Sequence, residues 1–223
     1  MPARIDIFLD LDGTLIDPKP GIVGSILYAL NKMGRADPPS AEELHWAIGP
    51  SLRTTFAHLL DGCRAEDAVA YYRENYRRGA MYDCVVYAGI PEALALLAGA
   101  GHRLHIVTAK PHVFARPIAE RLGLAGLVAG IHGPELDGTR DDKGELLAHV
   151  LAAEAIAPER AVMIGDRRFD MLAAAANGVP GIGITWGYGT AEELEQAGAS
   201  LLCHAPPELG RAVAAVAGGL QRR

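Results

Sequence analysis

The residues best suited to chemistry in this chain are acids and lysines at the ends of short apolar runs. Ile5 to Leu11 reads IDIFLDL and passes straight into Asp12-Gly13-Thr14, which brings Asp10, Asp12 and Thr14 close together. Arg103 to Val107 is followed by Thr108 and Lys110, and Ala161 to Ile164 by Gly165-Asp166 and Asp170. Lys143 follows a polar loop and opens a helical pattern. Four carboxylates drawn together repel one another and titrate upward unless a cation holds them. An all-oxygen donor set suits a hard ion such as Mg2+, which takes a few carboxylates plus water and a substrate oxygen. Lysine and threonine beside them suit a phosphate. Acids for a metal and donors for a phosphate make a phosphoryl-transfer site, where positioning and electrostatics carry the catalysis.

That convergence needs a scaffold that delivers strand ends to one place. The pattern predicts strands at Ile5–Leu11, Arg103–Val107, Gly126–Ile131, Ala161–Ile164, Gly181–Thr185 and Leu201–Cys203. Helical patterns at Pro91–Ala100, His112–Leu122, Lys143–Ala155 and Phe169–Asn177 fall between them. Such alternation implies a doubly wound α/β core with a parallel sheet and helices on both faces. Ligands of such a sheet bind beyond the carboxyl ends of its strands. Residues 17–82 break the alternation. They read as helices at Ile22–Met33, Ala41–Ile48, Leu52–Leu60 and Ala65–Arg78, parted by Pro38-Pro39, Gly49-Pro50 and Asp61-Gly62, with no convincing strand. The expected organisation is a core of 1–16 and 83–223 with a small α-helical cap domain, 17–82, inserted after the first strand.

Composition narrows the function. The chain has 223 residues, 50% of them hydrophobic, enough for a sizeable core. With 21 basic and 27 acidic residues and a net charge of −6, it lacks the basic excess of a nucleic-acid binder. No run approaches the roughly 20 apolar residues of a membrane span. Acids at Asp6, Asp10 and Asp12 do not suit the apolar region of a signal peptide. Cys63, Cys84 and Cys203 form no CxxC pair, which points to a reducing cytoplasm and no cysteine-held zinc. Only four of the 21 basic residues are lysine, so Lys110 and Lys143 stand out against an arginine background.

Taken in order, these segments resemble the haloacid dehalogenase-like hydrolase superfamily. Asp10-Leu11-Asp12-Gly13-Thr14 matches its DxDGT motif, Val107-Thr108 its second motif, Lys143 its third and Gly165-Asp166-Arg167-Arg168-Phe169-Asp170 its GDxxxD motif. The helical insert matches the family's cap. The resemblance implies that Asp10 attacks phosphorus to form an aspartyl-phosphate, while Asp12 protonates the leaving oxygen and then activates water. It implies Mg2+ held by Asp10, the backbone carbonyl of Asp12, and Asp166, with Asp170 one helical turn further acting directly or through water. Thr108 and Lys143 would bind the transferring phosphoryl group.

Lys110 matches a lysine of the phosphoglycolate phosphatase branch and is a candidate contact for the far end of the substrate, and Arg53 in the insert is a candidate for a substrate carboxylate or phosphate. The reading is a Mg2+-dependent phosphatase of small phosphate monoesters, similar to phosphoglycolate phosphatases. A 5′-nucleotidase-like enzyme is the runner-up, favoured by the loop Glu135 to Arg140 and the form of the fourth motif. A β-phosphoglucomutase-like isomerase and a non-catalytic receiver phosphorylated on Asp10 are the rivals. Asp12 speaks against a dehalogenase, which needs no acid there. The eight histidines show no metal-binding spacing, and Arg167 and Arg168 read as solvated or as internal ion-pair partners.

Overall fold

The computed structural model describes residues 4–60 and 64–220. The expected break at Asp61-Gly62, like Cys63 and the first three residues, lies outside the described residues. The chain forms two compact units, Met1–Ile16 with Val86–Arg223, and Asp17–Val85.

The first unit is built on a parallel sheet. Its strands are β1 (Asp6–Leu9), β4 (Arg103–Val107), β5 (Gly130–His132), β6 (Ala161–Gly165), β7 (Gly181–Ile184) and β8 (Leu201–Cys203), once the two-residue strands β2 (Ile16–Asp17) and β3 (Val85–Val86) are numbered in chain order. The sheet order is β5-β4-β1-β6-β7-β8, and β2 pairs with β3 where the chain passes between the units. Every sheet pairing is parallel, with Leu9 of β1 opposite Ile106 of β4 on one side and Ile164 of β6 on the other. The chain winds outward from β1 through β4 to β5, then crosses back to β6 and winds outward again. The reversal lies beside β1, and the crevice at such a switch point is where ligands of open α/β sheets bind.

The central strands are apolar on both faces because helices cover both. Ile7, Phe8, Leu9, Ile106, Val107, Val162, Met163 and Ile164 are fully buried. The helices of this unit, numbered after three in the inserted unit, are α4 (Ile90–Gly99), α5 (His112–Arg121), α6 (Lys143–Ala153), α7 (Arg168–Ala176), α8 (Ala191–Gln196) and α9 (Leu209–Leu220). One face of the sheet packs Phe8, Val107 and Met163 against Leu147, Val150 and Leu151 of α6 and Ala173 and Ala174 of α7. The caps explain where helices begin. Asp142 accepts a hydrogen bond from Glu145 N at 3.0 Å ahead of α6, and Thr190 accepts one from Glu193 N at 3.1 Å ahead of α8.

The inserted unit holds α1 (Lys19–Lys32), α2 (Leu52–Leu59) and α3 (Ala65–Arg77). Phe56 sits edge-on to Tyr72, and Tyr72 stacks on Tyr76 at 5.2 Å, so these aromatics are packing residues. Gly21 lies so close to the chain at Ala80 that a Cβ would stand 2.2 Å from its carbonyl oxygen.

Several expected elements differ from those observed. Residues 41–48 form turns and a single 3-10 turn at His45–Ala47 instead of a helix. Glu43 turns back to take Ser40 N at 2.8 Å and Ser40 Oγ at 2.7 Å, which ties the start of this stretch into a turn. The third strand covers Gly130–His132, because Ala125–Leu127 is a 3-10 turn closed by Leu127 N on Leu124 O at 3.0 Å. Helix α1 starts at Lys19, with Pro20 in its first turn, three residues before the expected start. Helices α8 and α9 and the β2–β3 pair were not expected.

Candidate active site

The strand order puts the ends of β4, β1 and β6 side by side, and the acids and lysines singled out in the core arrive there together. Asp10, Asp12, Thr14, Thr108, Lys110, Lys143, Asp166 and Asp170 are all at least nine-tenths buried. Lys143 Nζ lies 2.6 Å from Asp10 Oδ1 and also contacts Asp170 Oδ1. Lys110 Nζ donates to Asp12 Oδ1 at 2.7 Å. Thr108, fully packed at the end of β4, accepts from Lys110 N at 3.2 Å, which fixes the turn that carries the lysine. Arg53 belongs to the other unit, where its Nε pairs with Glu66 at 2.7 Å.

Asp166 is held by main chain. Tyr188 N donates to its Oδ2 at 2.8 Å, and Thr14 Oγ1 lies 3.4 Å from its Oδ1. Gly13, with φ +85, has no room for a side chain, since a Cβ would stand 2.2 Å from Asp166 Oδ2. Gly187 is equally closed, its Cβ position falling 2.4 Å from Asp166 Cβ. Asp170 folds back over the start of α7 and accepts from Arg167 N at 3.0 Å. Arg167 is an internal ion-pair partner, 2.9 Å from Glu193 of α8, whereas Arg168 lies over the Phe169 ring at 4.9 Å.

The electrostatics follow from burial. Burial raises the Asp12 carboxyl above its ordinary range, with Lys110 pulling the other way. Burial, then repulsion from Asp170 and Asp10, lifts Asp166 well above it. Asp170 is pushed up to about 6 by burial, against the attraction of Lys143. Burial works against the Lys143 ammonium, yet Asp10 and Asp170 more than offset it, and its pKa stands above the ordinary lysine value.

The residues present fit a hard divalent cation. Asp10, Asp166 and Asp170 each offer a carboxylate oxygen within 4.8 Å of the others. Lys143 is the positive charge paired within this trio, with Asp10 and Asp170; Lys110 is engaged with Asp12, and Arg167, which also acts on Asp166, is paired with Glu193. Asp170 Oδ1 is buried with Lys143 as its ion-pair partner. Buried carboxylates short of positive charge, all oxygen donors, are what Mg2+ requires. The Asp12 carboxylate is not part of this trio.

The Trp186-Gly187-Tyr188-Gly189 turn after β7 was not among the residues singled out in the sequence. Its Tyr188 amide holds Asp166, and Trp186 Nε1 donates to Thr14 O at 3.1 Å. The two glycines flanking Tyr188 were the available signal for a close main-chain approach.

A buried trio of acids and two paired lysines thus meet at a switch-point crevice, and comparison with known proteins gives the class. Residues 7–184 match the family model for haloacid dehalogenase-like hydrolases, and the chain belongs to that family. It is a phosphoric monoester hydrolase. It is 45% identical over 191 residues to a 5′-nucleotidase of Pseudomonas aeruginosa, covering 85% of this chain and 86% of that one. It is 37% identical over 199 residues to the tyrosine-protein kinase PtkA of Mycobacterium tuberculosis (89% and 68%), and 28% identical over 202 residues to a phosphoglycolate phosphatase of Colwellia psychrerythraea (86% and 89%). A predicted phosphatase from Clostridium acetobutylicum superposes with a TM-score of 0.89 at 34% identity, covering 95% of this chain and 99% of that one. Among the described residues no helix is long and apolar enough to cross a membrane.

Proposed function

We propose that this chain is a Mg2+-dependent phosphatase of small phosphate monoesters that works through an aspartyl-phosphate on Asp10. The observation that carries the reading is the meeting of Asp10, Asp166 and Asp170 at one buried point, with Lys143 bridging Asp10 and Asp170. Asp10, Asp166, the carbonyl of Asp12 and, directly or through water, Asp170 would hold the ion. When bound, it supplies the positive charge that lets an anionic carboxylate approach an anionic phosphate.

The chain's own residues do the rest. Lys143 orients the Asp10 carboxylate, and Thr108 and Lys143 bind phosphoryl oxygens. An Asp10 oxygen attacks phosphorus as the ester P–O bond breaks, and Asp12 gives its proton to the leaving oxygen. Burial favours the protonated form of Asp12 that this step needs. Asp12, now ionised, takes a proton from water, and that water's oxygen attacks phosphorus. The Asp10–phosphate bond breaks, inorganic phosphate leaves, and Asp10 is regenerated. Lys110, 2.7 Å from Asp12, holds the acid in place until substrate arrives.

The inserted unit, in this reading a cap, selects among monoesters. Nucleoside 5′-monophosphates are the first to test, because the relative at 45% identity is named for them, with phosphoglycolate second. The test is phosphate release from nucleoside monophosphates, phosphoglycolate, sugar phosphates and p-nitrophenyl phosphate, with Mg2+ and with chelator. Release that depends on Mg2+ supports the reading. Inertness towards every monoester, or equal rates in chelator, overturns it.

A further inference from the structure

The loop between β5 and α6 touches both buried lysines of the site, and the reaction as written makes no use of it. At its start it lies on the backbone that carries Lys110. His112 N donates to Pro134 O at 3.2 Å, and a Cβ on Gly133 would stand 2.2 Å from Lys110 O. At its end, Asp142 caps α6 and so fixes where Lys143 begins. Between these ends the chain folds back on itself. Glu135 N donates to Thr139 O at 3.0 Å, and Thr139 N to Asp137 Oδ1 at 2.9 Å.

Arg140 closes this loop at some strain. Its φ is +65, a left-handed conformation uncommon for a residue with a Cβ. Its guanidinium donates to Glu135 Oε1 at 2.8 Å, while its Nε is buried without a hydrogen-bond partner. The other Glu135 oxygen lies 3.6 Å from Nδ1 of His112, two residues after Lys110. Glu135 is 41% exposed, so the pair adds little to stability. A strained residue kept for a weak ion pair suits a role in holding shape.

We propose that Glu135, Arg140 and His112 form a clamp of positioning residues, which keeps the two ends of this loop in register. It thereby sets Lys110 against Asp12 and Lys143 against Asp10. The inference rests on the phosphatase reading of the same site.

The test compares the full chain with Glu135→Gln, Arg140→Gly, Arg140→Lys and the Gln/Gly double variant, measuring kcat, KM and the thermal midpoint with Mg2+ present. Glycine suits the left-handed backbone, so Arg140→Gly removes the guanidinium without adding strain. Both single neutral variants should lower kcat about tenfold with the thermal midpoint unchanged, as expected for small displacements of catalytic groups. Arg140→Lys should recover part of the loss, and the double variant should lose no more than the worse single. Rates within about twofold of wild type, losses that multiply in the double variant, or a fall in kcat explained by unfolding at the assay temperature would each overturn the clamp. An inert wild type defeats the phosphatase reading and the clamp with it, whereas an active wild type with unaffected variants defeats the clamp alone.

Discussion

The two units of this chain use the same ionic groups at similar distances in opposite surroundings. In the inserted unit Arg53 and Glu66 pair at 2.7 Å, Lys19 and Glu42 at 3.0 Å, with side chains 27–83% exposed. In the core Lys110 and Asp12 pair at the same 2.7 Å, with side chains no more than 10% exposed. Distance does not separate the two sets; solvent does. An exposed pair contributes about 0–1 kcal/mol, whereas removing one partner of a buried pair costs about 3–5 kcal/mol. A fold that keeps four acids and two lysines out of water is spending stability on something other than stability.

The sharpest way to break this contrast is Asp10→Asn. Phosphate release should fall by about four orders of magnitude or more while the fold persists, measured as turnover beside a melting curve. Turnover at the wild-type rate would remove Asp10 from the reaction. Asp12→Asn should cost about 10²–10⁴ in kcat, the usual range for a general acid and base, with substrate still binding. Loss of binding instead of turnover would reassign that residue.

Asp166→Asn tests the burial of charge directly, through stability against pH. The folded pKa values of Asp166 and Asp170 are raised, the latter to about 6, above the unfolded value of 3.8. The metal-free fold therefore holds these protons more tightly than the unfolded chain does. The Asp170 contribution is complete below about pH 4 and is lost as pH rises through about 6, and that of Asp166 is lost in the same direction. Metal-free Asp166→Asn should melt higher than wild type at pH 8 and level with it at pH 4, and Mg2+ should raise the wild-type midpoint more than the variant's. A variant less stable than wild type at pH 8 would mean that Asp166 is not a strained charge.

The smallest effect belongs to the exposed unit. Glu66→Gln should change unfolding free energy by less than about 1 kcal/mol in denaturant titrations. Arg53→Ala, equally mild for stability, should raise KM if this arginine meets substrate, and unchanged kinetics would make it a surface residue.

How much of this was legible in the sequence follows the same division. Apolar strands ending in acids gave the core: Arg103–Val107 and Leu201–Cys203 were found to the residue, and the strand ends implied the meeting of Asp10, Asp166 and Lys143. Lys110 was singled out by its place after a strand, as Lys19 was not, but its burial was not readable from residue type. Only the fold buries one of them. Helix α9 escaped because its Ala- and Gly-rich run, LGRAVAAVAGGL, punctuates itself like a turn. The stretch 41–48 misled in the other direction, with helix-forming residues tied into turns by Ser40 and Glu43. Tyr188 was invisible because it acts through its amide, which every residue but proline possesses.

The glycine collar around Asp166 has a practical corollary for anyone redesigning this enzyme. A mould cast from peptide backbone cannot be widened by swapping neighbouring side chains, and a glutamate at 166 would have nowhere to put its additional methylene. On the proposed reading, in which Asp166 helps hold the ion, the position of that carboxylate is thus set by main chain that side-chain substitutions leave in place.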